Sequence, residues 1–214
     1  MEKRPAVFLD RDGVINTMIY HRDHGIVDSP FTLEQFRILP EVPRAIRLLN
    51  DLGFVVVIAS NQPGMAKGHF SQTLLNDIGQ QLRSALAAEG AHIDAIYYCL
   101  HHPDAVVPEL QENCSCRKPN PGLLVRAAEE LRLSLASSYM VGDGLTDIEA
   151  GDRAGCKTVF IGRWKPELCE FIEPSELRPD FIAINLWEAV QLIERDRKSS
   201  RAHRPKVSQQ AIPQ

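Results

Sequence analysis

Apolar residues along this chain fall into two alternating patterns. Short continuous runs, "AVFLD" (6–10), "FVVVIAS" (54–60), "IDAIYYC" (93–99), "SYMVGD" (138–143), "KTVFIG" (157–162) and "DFIAIN" (180–185), are separated by amphipathic stretches. The stretches are "VPRAIRLLNDLG" (42–53), "SQTLLNDIGQQLRSALAAEG" (71–90), "PGLLVRAAEELRL" (121–133), "TDIEAGDRAG" (146–155) and "LWEAVQLIER" (186–195). Continuous β-branched runs predict strands buried on both faces, and the helix-period stretches between them predict crossovers. The alternation predicts an α/β fold, a Rossmann-like doubly wound parallel sheet covered on both sides. Such a sheet binds ligands outside the carboxyl ends of its strands.

Two segments break the rhythm. Residues 16 to 42 form a polar, Pro-containing connection too long for an ordinary loop, and read as a substrate flap. Residues 99 to 120 form the second, rich in cysteine and histidine. Residues 1–195 are expected to form one domain, and residues 196–214, basic and poor in apolar side chains, a disordered tail.

Composition narrows the partners. With 44% hydrophobic and 24% charged residues and a net charge of -4, the chain does not read as one built to coat nucleic acid. Its N-terminal apolar run is cut off by Asp10, unlike a signal peptide, and the longest run, "FVVVIA", is too short for a bilayer. The expectation is a cytoplasmic monomer acting on a small molecule, with neither nucleic acid nor membrane as partner.

Candidate chemistry sits at the predicted strand ends. Asp10 and Asp12, one residue apart, leave the first strand on the same side, followed by Gly13. Alone, D-x-D-G reads first as a capped turn. Three other strand ends change that reading. Ser60 and Asn61 offer a hydroxyl and amides to a phosphoryl oxygen, and Lys118 precedes a helix near Pro121. Asp143 ends another strand, with Asp147 at the start of the next helix, both suited to Mg²⁺.

Within the second irregular segment, Cys99 and His101 are joined by a twelve-residue loop to Cys114 and Cys116. Three thiolates and an imidazole make a closed set for structural Zn²⁺. Reduced cysteines or a Cys99–Cys114 disulfide are the alternatives, the latter disfavoured in the cytoplasm. His102 competes as the nitrogen ligand, whereas Cys156 and Cys169 read as small buried residues. His21, His69, His92 and His203 stand alone and read as surface residues, and Trp164 and Trp187 as packing residues.

The motifs Asp10 with Asp12, Ser60, Lys118 and Asp143 resemble the haloacid dehalogenase superfamily of phosphotransferases, in its capless form. That resemblance implies Asp10 as nucleophile, Asp12 as general acid and base, Ser60 and Lys118 on the phosphoryl oxygens, and Mg²⁺ held by Asp10, the Asp12 carbonyl and Asp143. The zinc loop, with "FLDRDGVIN", "SNQPG" and "CRKPNPG", further resembles the D-glycero-D-manno-heptose 1,7-bisphosphate 7-phosphatases and, next, the histidinol-phosphate phosphatases. "DHGIV" (23–27) is similar to the D-H-G-Y-V segment of the heptose enzymes. Carried over by position, Asp23, His24, Gly25, Ser60, Asn61, Gln62, Arg117 and Lys118 would contact substrate, with Arg117 reaching the phosphate that is not cleaved. The chain departs from that pattern at Gly144, where a Lys is frequent, at Ile26, and in a longer flap. The implied function is removal of the 7-phosphate of a heptose bisphosphate through an aspartyl phosphate, in the synthesis of nucleotide-heptose or lipopolysaccharide core precursors. The rivals are histidinol-phosphate hydrolysis, a zinc-stabilised phosphate-binding module without activity, and a nucleic-acid end phosphatase.

Overall fold

The computed structural model of the chain describes residues 3–162 and 177–202. Among these residues eight strands and five α-helices follow in the order β1 (Ala6–Leu9), β2 (Ile19–His21), β3 (Ile26–Asp28), α1 (Val42–Asp51), β4 (Val55–Asn61), α2 (Gln72–Ala88), β5 (Ala95–Cys99), α3 (Gly122–Leu131), β6 (Tyr139–Gly142), α4 (Leu145–Arg153), β7 (Lys157–Ile161), β8 (Phe181–Ala183) and α5 (Leu186–Ala202). Six strands form one parallel sheet in the order β5-β4-β1-β6-β7-β8. The doubly wound sheet expected from the apolar runs is therefore present, and no second domain interrupts it among the described residues.

Alternation along each strand divides the core in two. Val7, Leu9, Val56, Ile58, Val141, Val159 and Ile161 face the apolar stripes of α1, α2 and α5. Ala6, Phe8, Val55, Val57, Ala59 and Met140 face Leu123, Leu124, Ala127 and Ala128 of α3. A sheet covered on both faces needs nearly every strand position apolar, so β1 is buried at all four residues and β4 at six of seven. In α1 the buried residues Val42, Ala45, Ile46 and Leu49 repeat at helical spacing.

The chain starts in the middle of the sheet and winds outward in both directions. Leu9 of β1 pairs with Ile58 of β4 on one side and with Val141 of β6 on the other. The reversal of winding at β1 opens a crevice at the carboxyl ends of these three strands. Ser60, Asp10 and Asp143 stand at that edge.

The long connection after β1 contains the antiparallel hairpin β2–β3, in which Ile19 pairs with Asp28 and His21 with Ile26. At its tip the amide of Gly25 donates to the His21 carbonyl at 2.8 Å. His21 is not a lone surface residue, which corrects the sequence reading. It is 8% exposed, and its ring stacks on Phe31 at 3.6 Å. His69, read in the same way, stacks on the same ring, Phe31, at 4.5 Å and lies 5.1 Å from His24. These ring contacts join the hairpin to the loop after β4.

The C-terminal helix also corrects an expectation. Residues 196–202, assigned to the disordered tail, extend α5 to Ala202. Asp196 binds Lys157 Nζ at 2.6 Å and accepts the Tyr139 hydroxyl at 2.5 Å. Arg197 lies 4.5 Å over the Phe54 ring and donates to the Leu52 carbonyl. Charged side chains thus anchor this turn of helix, where low hydrophobicity alone suggested disorder. The remainder of the expected tail, with His203, and also Trp164 and Cys169, lies outside the described residues.

Among the described residues no helix is long and apolar enough to cross a membrane.

Candidate active site and thiol cluster

The crevice is organised around one buried cation. Lys118 Nζ lies 2.9 Å from an Asp10 oxygen and 2.5 Å from an Asp147 oxygen, and donates to the Ala59 carbonyl at 2.8 Å. Burial alone lowers the pKa of an ammonium, but Asp10 and Asp147 outweigh it and Lys118 is held firmly protonated. Its backbone is fixed by Asn61, whose amide group donates to the Lys118 carbonyl and accepts its N–H, each at 3.0 Å. Asn61, expected at the substrate, thus spends its side chain on placing the lysine.

Asp10, Asp143 and Asp147 each offer an oxygen within 4.8 Å of the others. Burial, then Asp10, then Asp147 push Asp143 up to about 7. Burial also raises Asp147, to about 6, against the opposing pull of Lys118. Three carboxylates facing one ammonium leave excess negative charge in a poorly solvated place, which suits a divalent oxygen-seeking cation. Gly13 and Gly142 make room for the cluster. A Cβ at Gly13, where φ is +85°, would lie 2.0 Å from Asp143 Oδ2, and one at Gly142 would lie 2.2 Å from Asp147 Cβ. Gly144 donates its N–H to Asp147 Oδ2 at 3.0 Å, so the position that departs from the family pattern serves the turn into α4.

The Asp12 carboxylate is outside this cluster. It accepts from Arg11, from Asn16 Nδ2 at 2.8 Å and from Gln62 Nε2 at 2.7 Å. Only its main-chain carbonyl is left for the metal role that the resemblance implies. Gln62 also donates to Ser60 Oγ at 3.1 Å. Ser60 and Gln62 are both buried at the end of β4.

The second cluster brings together Cys99, His101, Cys114 and Cys116, with ligand atoms within 4.8 Å of one another. Cys116 Sγ lies 3.2 Å from Cys99 Sγ, 3.1 Å from Cys114 Sγ and 3.5 Å from His101 Nδ1. All three cysteines are free, so the disulfide alternative is not present. Burial raises Cys99 and Cys116. Burial also raises Cys114, but hydrogen bonds from Cys116, Cys99 and His101 outweigh it and bring this thiol down to about 7. On its far side His101 Nε2 faces Glu112 at 3.5 Å, the outer carboxylate contact that orients a ligating imidazole. His102 is not in the cluster; its Nδ1 accepts the Asp104 N–H at 3.0 Å. Three soft sulfurs and one nitrogen, closed to a further ligand, match a structural zinc set.

Arg117 follows the last thiol directly, half-buried, with Nη1 out of solvent and no hydrogen-bond partner among the described residues. Asp23, His24 and Gly25 occupy the exposed tip of the β2–β3 hairpin. The structure therefore gathers Asp10, Ser60, Lys118 and Asp143 at the sheet edge and sets Asp12 beside them. Sequence reasoning missed Arg11, a fully buried arginine between the two aspartates, and the lysine-binding role of Asp147. The only signal for Arg11 was a cation placed where the chain dives into the core.

Comparison with known proteins agrees with this geometry. The family model described as "HAD-hyrolase-like" matches residues 115–189. D-glycero-beta-D-manno-heptose-1,7-bisphosphate 7-phosphatase of Yersinia pestis is 40% identical over 191 residues, 89% of this chain and 95% of that protein. The enzyme of the same name from Escherichia coli K12 is 37% identical over 91% of this chain and 96% of its own. The crystal structure of D,D-heptose 1,7-bisphosphate phosphatase from B. bronchiseptica, complexed with magnesium and phosphate, superposes with a TM-score of 0.73 at 30% identity. It covers 90% of this chain and 99% of its own. A parallel sheet edged by Asp10, Ser60, Lys118 and Asp143, with relatives of this identity over nearly their whole length, leads to one conclusion: the chain belongs to the heptose-bisphosphate phosphatase family of haloacid dehalogenase-like phosphomonoester hydrolases.

Proposed function

We propose that this protein removes the 7-phosphate of D-glycero-β-D-manno-heptose 1,7-bisphosphate, supplying nucleotide-heptose and lipopolysaccharide core precursors. The observation that carries the chemistry is the Asp10–Lys118 contact of 2.9 Å beside Asp143 and Asp147, with a second aspartate, Asp12, held nearby. The names of the relatives support the substrate and its β configuration.

In this reading Asp10 attacks phosphorus, the bond from phosphorus to the sugar oxygen breaks, and that oxygen takes a proton from Asp12. Asp12, now a carboxylate, takes a proton from the water that attacks the aspartyl phosphate, and Asp10 and inorganic phosphate are released. Lys118 holds Asp10 in place and, with the Ser60 hydroxyl, meets the charge on the phosphoryl oxygens. Arg117, the main-chain amide of Asn61 and the hairpin tip, Asp23, His24 and Gly25, reach the remainder of the substrate, whereas the Gln62 main-chain N–H, expected there too, is taken by the Cys99 carbonyl at 2.7 Å.

Mg²⁺ bound by Asp10, Asp143 and the Asp12 carbonyl, with Asp147 in the same cluster, would supply charge neutralisation at the transferring phosphoryl group. Zn²⁺ on Cys99, His101, Cys114 and Cys116 would fix the loop that carries Arg117 and Lys118. A cytoplasmic setting that keeps the thiols reduced, and action as a monomer without nucleic-acid or membrane partners, belong to the same proposal.

The test is steady-state phosphate release, with Mg²⁺, from both anomers of heptose 1,7-bisphosphate and from histidinol phosphate, with Asp10→Asn as blank. Preference for the β anomer, lost in the variant, is expected. Preference for histidinol phosphate would overturn the substrate, and release independent of Asp10 would overturn the mechanism.

A further inference from the structure

Arg11 stands between the two proposed catalytic aspartates, has no exposed surface, and takes no part in the steps above. Its Nη2 donates to Gln62 Oε1 at 2.6 Å and to Asp12 Oδ2 at 3.0 Å, and its Nε reaches Asp12 Oδ1 at 3.3 Å. The guanidinium lies 5.5 Å from the centroid of the Tyr98 ring. Burial disfavours its charge, but Asp12 and Tyr98 together outweigh that penalty.

Gln62 is as deeply buried as Arg11. A side-chain amide has nearly the same shape in its two flipped orientations, so a neighbour must select one. A guanidinium has donors only, so Oε1 must face Arg11 and Nε2 must face the other way. There Nε2 donates to Asp12 Oδ2 at 2.7 Å and to Ser60 Oγ at 3.1 Å. Because Ser60 Oγ already accepts from Gln62, its own hydrogen is left to donate elsewhere.

We propose that Arg11 and Gln62 form a positioning pair, in which Arg11 locks the Gln62 amide and that amide aims both the Ser60 hydroxyl and the Asp12 carboxyl group at the phosphoryl group. This rests on the phosphatase reading above. Neither residue touches the reacting atoms; they act through Ser60 and Asp12. The contact made by one amide group to both residues links phosphate holding to proton transfer.

The test compares a leaving group that needs a proton with one that does not. kcat/KM reports the steps through departure of the leaving group. It is measured for heptose 1,7-bisphosphate and for p-nitrophenyl phosphate with Gln62→Glu, Gln62→Met, Arg11→Met and the Arg11→Met/Gln62→Met pair, all in the Mg²⁺-loaded protein. Gln62→Glu keeps an oxygen for Arg11 but puts an acceptor where Asp12 and Ser60 need a donor. General acid catalysis is worth about 100-fold or more, so partial misplacement of Asp12 is expected to lower kcat/KM by about 30-fold on the sugar. The loss on p-nitrophenyl phosphate is expected to stay below about 5-fold, the share that falls to the misplaced Ser60 hydroxyl, because its leaving group departs without a proton and is indifferent to Asp12. The double variant is expected to be no worse than the poorer single one, as for residues that act as a unit.

Hydrolysis of p-nitrophenyl phosphate also reports whether each variant has folded. Equal losses on both substrates, or losses that multiply in the double variant, would overturn the positioning role in favour of a packing one. Should the parent protein hydrolyse neither compound in an Asp10-dependent way, the phosphatase reading would fall, and the positioning pair with it.

Discussion

Replacing Asp143 with Asn should make the metal-free protein more stable at neutral and alkaline pH. Burial and the two neighbouring carboxylates, Asp10 and Asp147, hold Asp143 at about 7, against a usual 3.8. An acid raised in this way keeps its proton in the native state at pH values where the unfolded chain has released it. Its contribution to stability is therefore full below about pH 4 and is lost as pH climbs through about 7. The gap corresponds to an upper bound of about 4 kcal/mol, and partial exposure and sharing of charge with Asp10 and Asp147 bring the expected effect nearer 2 kcal/mol. Asn keeps the shape and removes the charge, so the variant should gain about 2 kcal/mol at pH 8 with chelator present and about nothing at pH 4. Urea denaturation at both pH values, with far-UV circular dichroism as the signal, measures the difference. Mg²⁺ at a hundred times its Kd should return about 2.7 kcal/mol to the parent protein and much less to the variant. A variant no more stable than the parent at pH 8 in chelator, or one stabilised by Mg²⁺ as strongly, would refute the view of these carboxylates as a strained cation site.

Three further outcomes follow from the contacts described. Lys118→Met leaves the buried Asp147 and the partly buried Asp10 without their shared cation, 2.5 and 2.9 Å away in the parent, and should abolish phosphate release. Removing one partner of a buried pair should also cost about 3 to 5 kcal/mol in denaturant unfolding, less if Mg²⁺ compensates. Cys114→Ser should lower bound zinc, read by metal analysis of the purified protein, and reduce thermal stability together with turnover, because Arg117 and Lys118 lie on the loop that the cluster closes. Asp196→Ala removes the partner of Lys157 at 2.6 Å and of the Tyr139 hydroxyl at 2.5 Å. It should destabilise by about 1 to 3 kcal/mol in urea while leaving kcat unchanged, since these residues stand at the opposite ends of the strands from Asp10.

Much of this protein could be read from residue order. Apolar runs flanked by amphipathic stretches determined the sheet, because a strand buried on both faces admits few polar residues and a helix on its surface must show one apolar stripe. The same order put Asp10, Ser60 and Asp143 at strand ends, since each follows directly on an apolar run. Cys99, His101, Cys114 and Cys116 were likewise legible as a set, because few other arrangements use three thiols and an imidazole so close in the chain.

What the tertiary structure decided was which polar groups spend their hydrogen bonds on one another. Asn61 and Gln62, adjacent in sequence, diverge: one fixes the Lys118 backbone, the other is held by Arg11 and turned toward Asp12 and Ser60. Asp147 takes the lysine, His21 lies beneath Phe31, and charged residues beyond Arg195 carry α5 onward by gripping Lys157, Tyr139 and Phe54. None of these follows a periodicity. Hydrophobic burial is non-directional and repeats with the element, so it is written along the chain. A buried hydrogen bond or ion pair depends on distance and direction between residues far apart in sequence, and exists only once the sheet has brought them together.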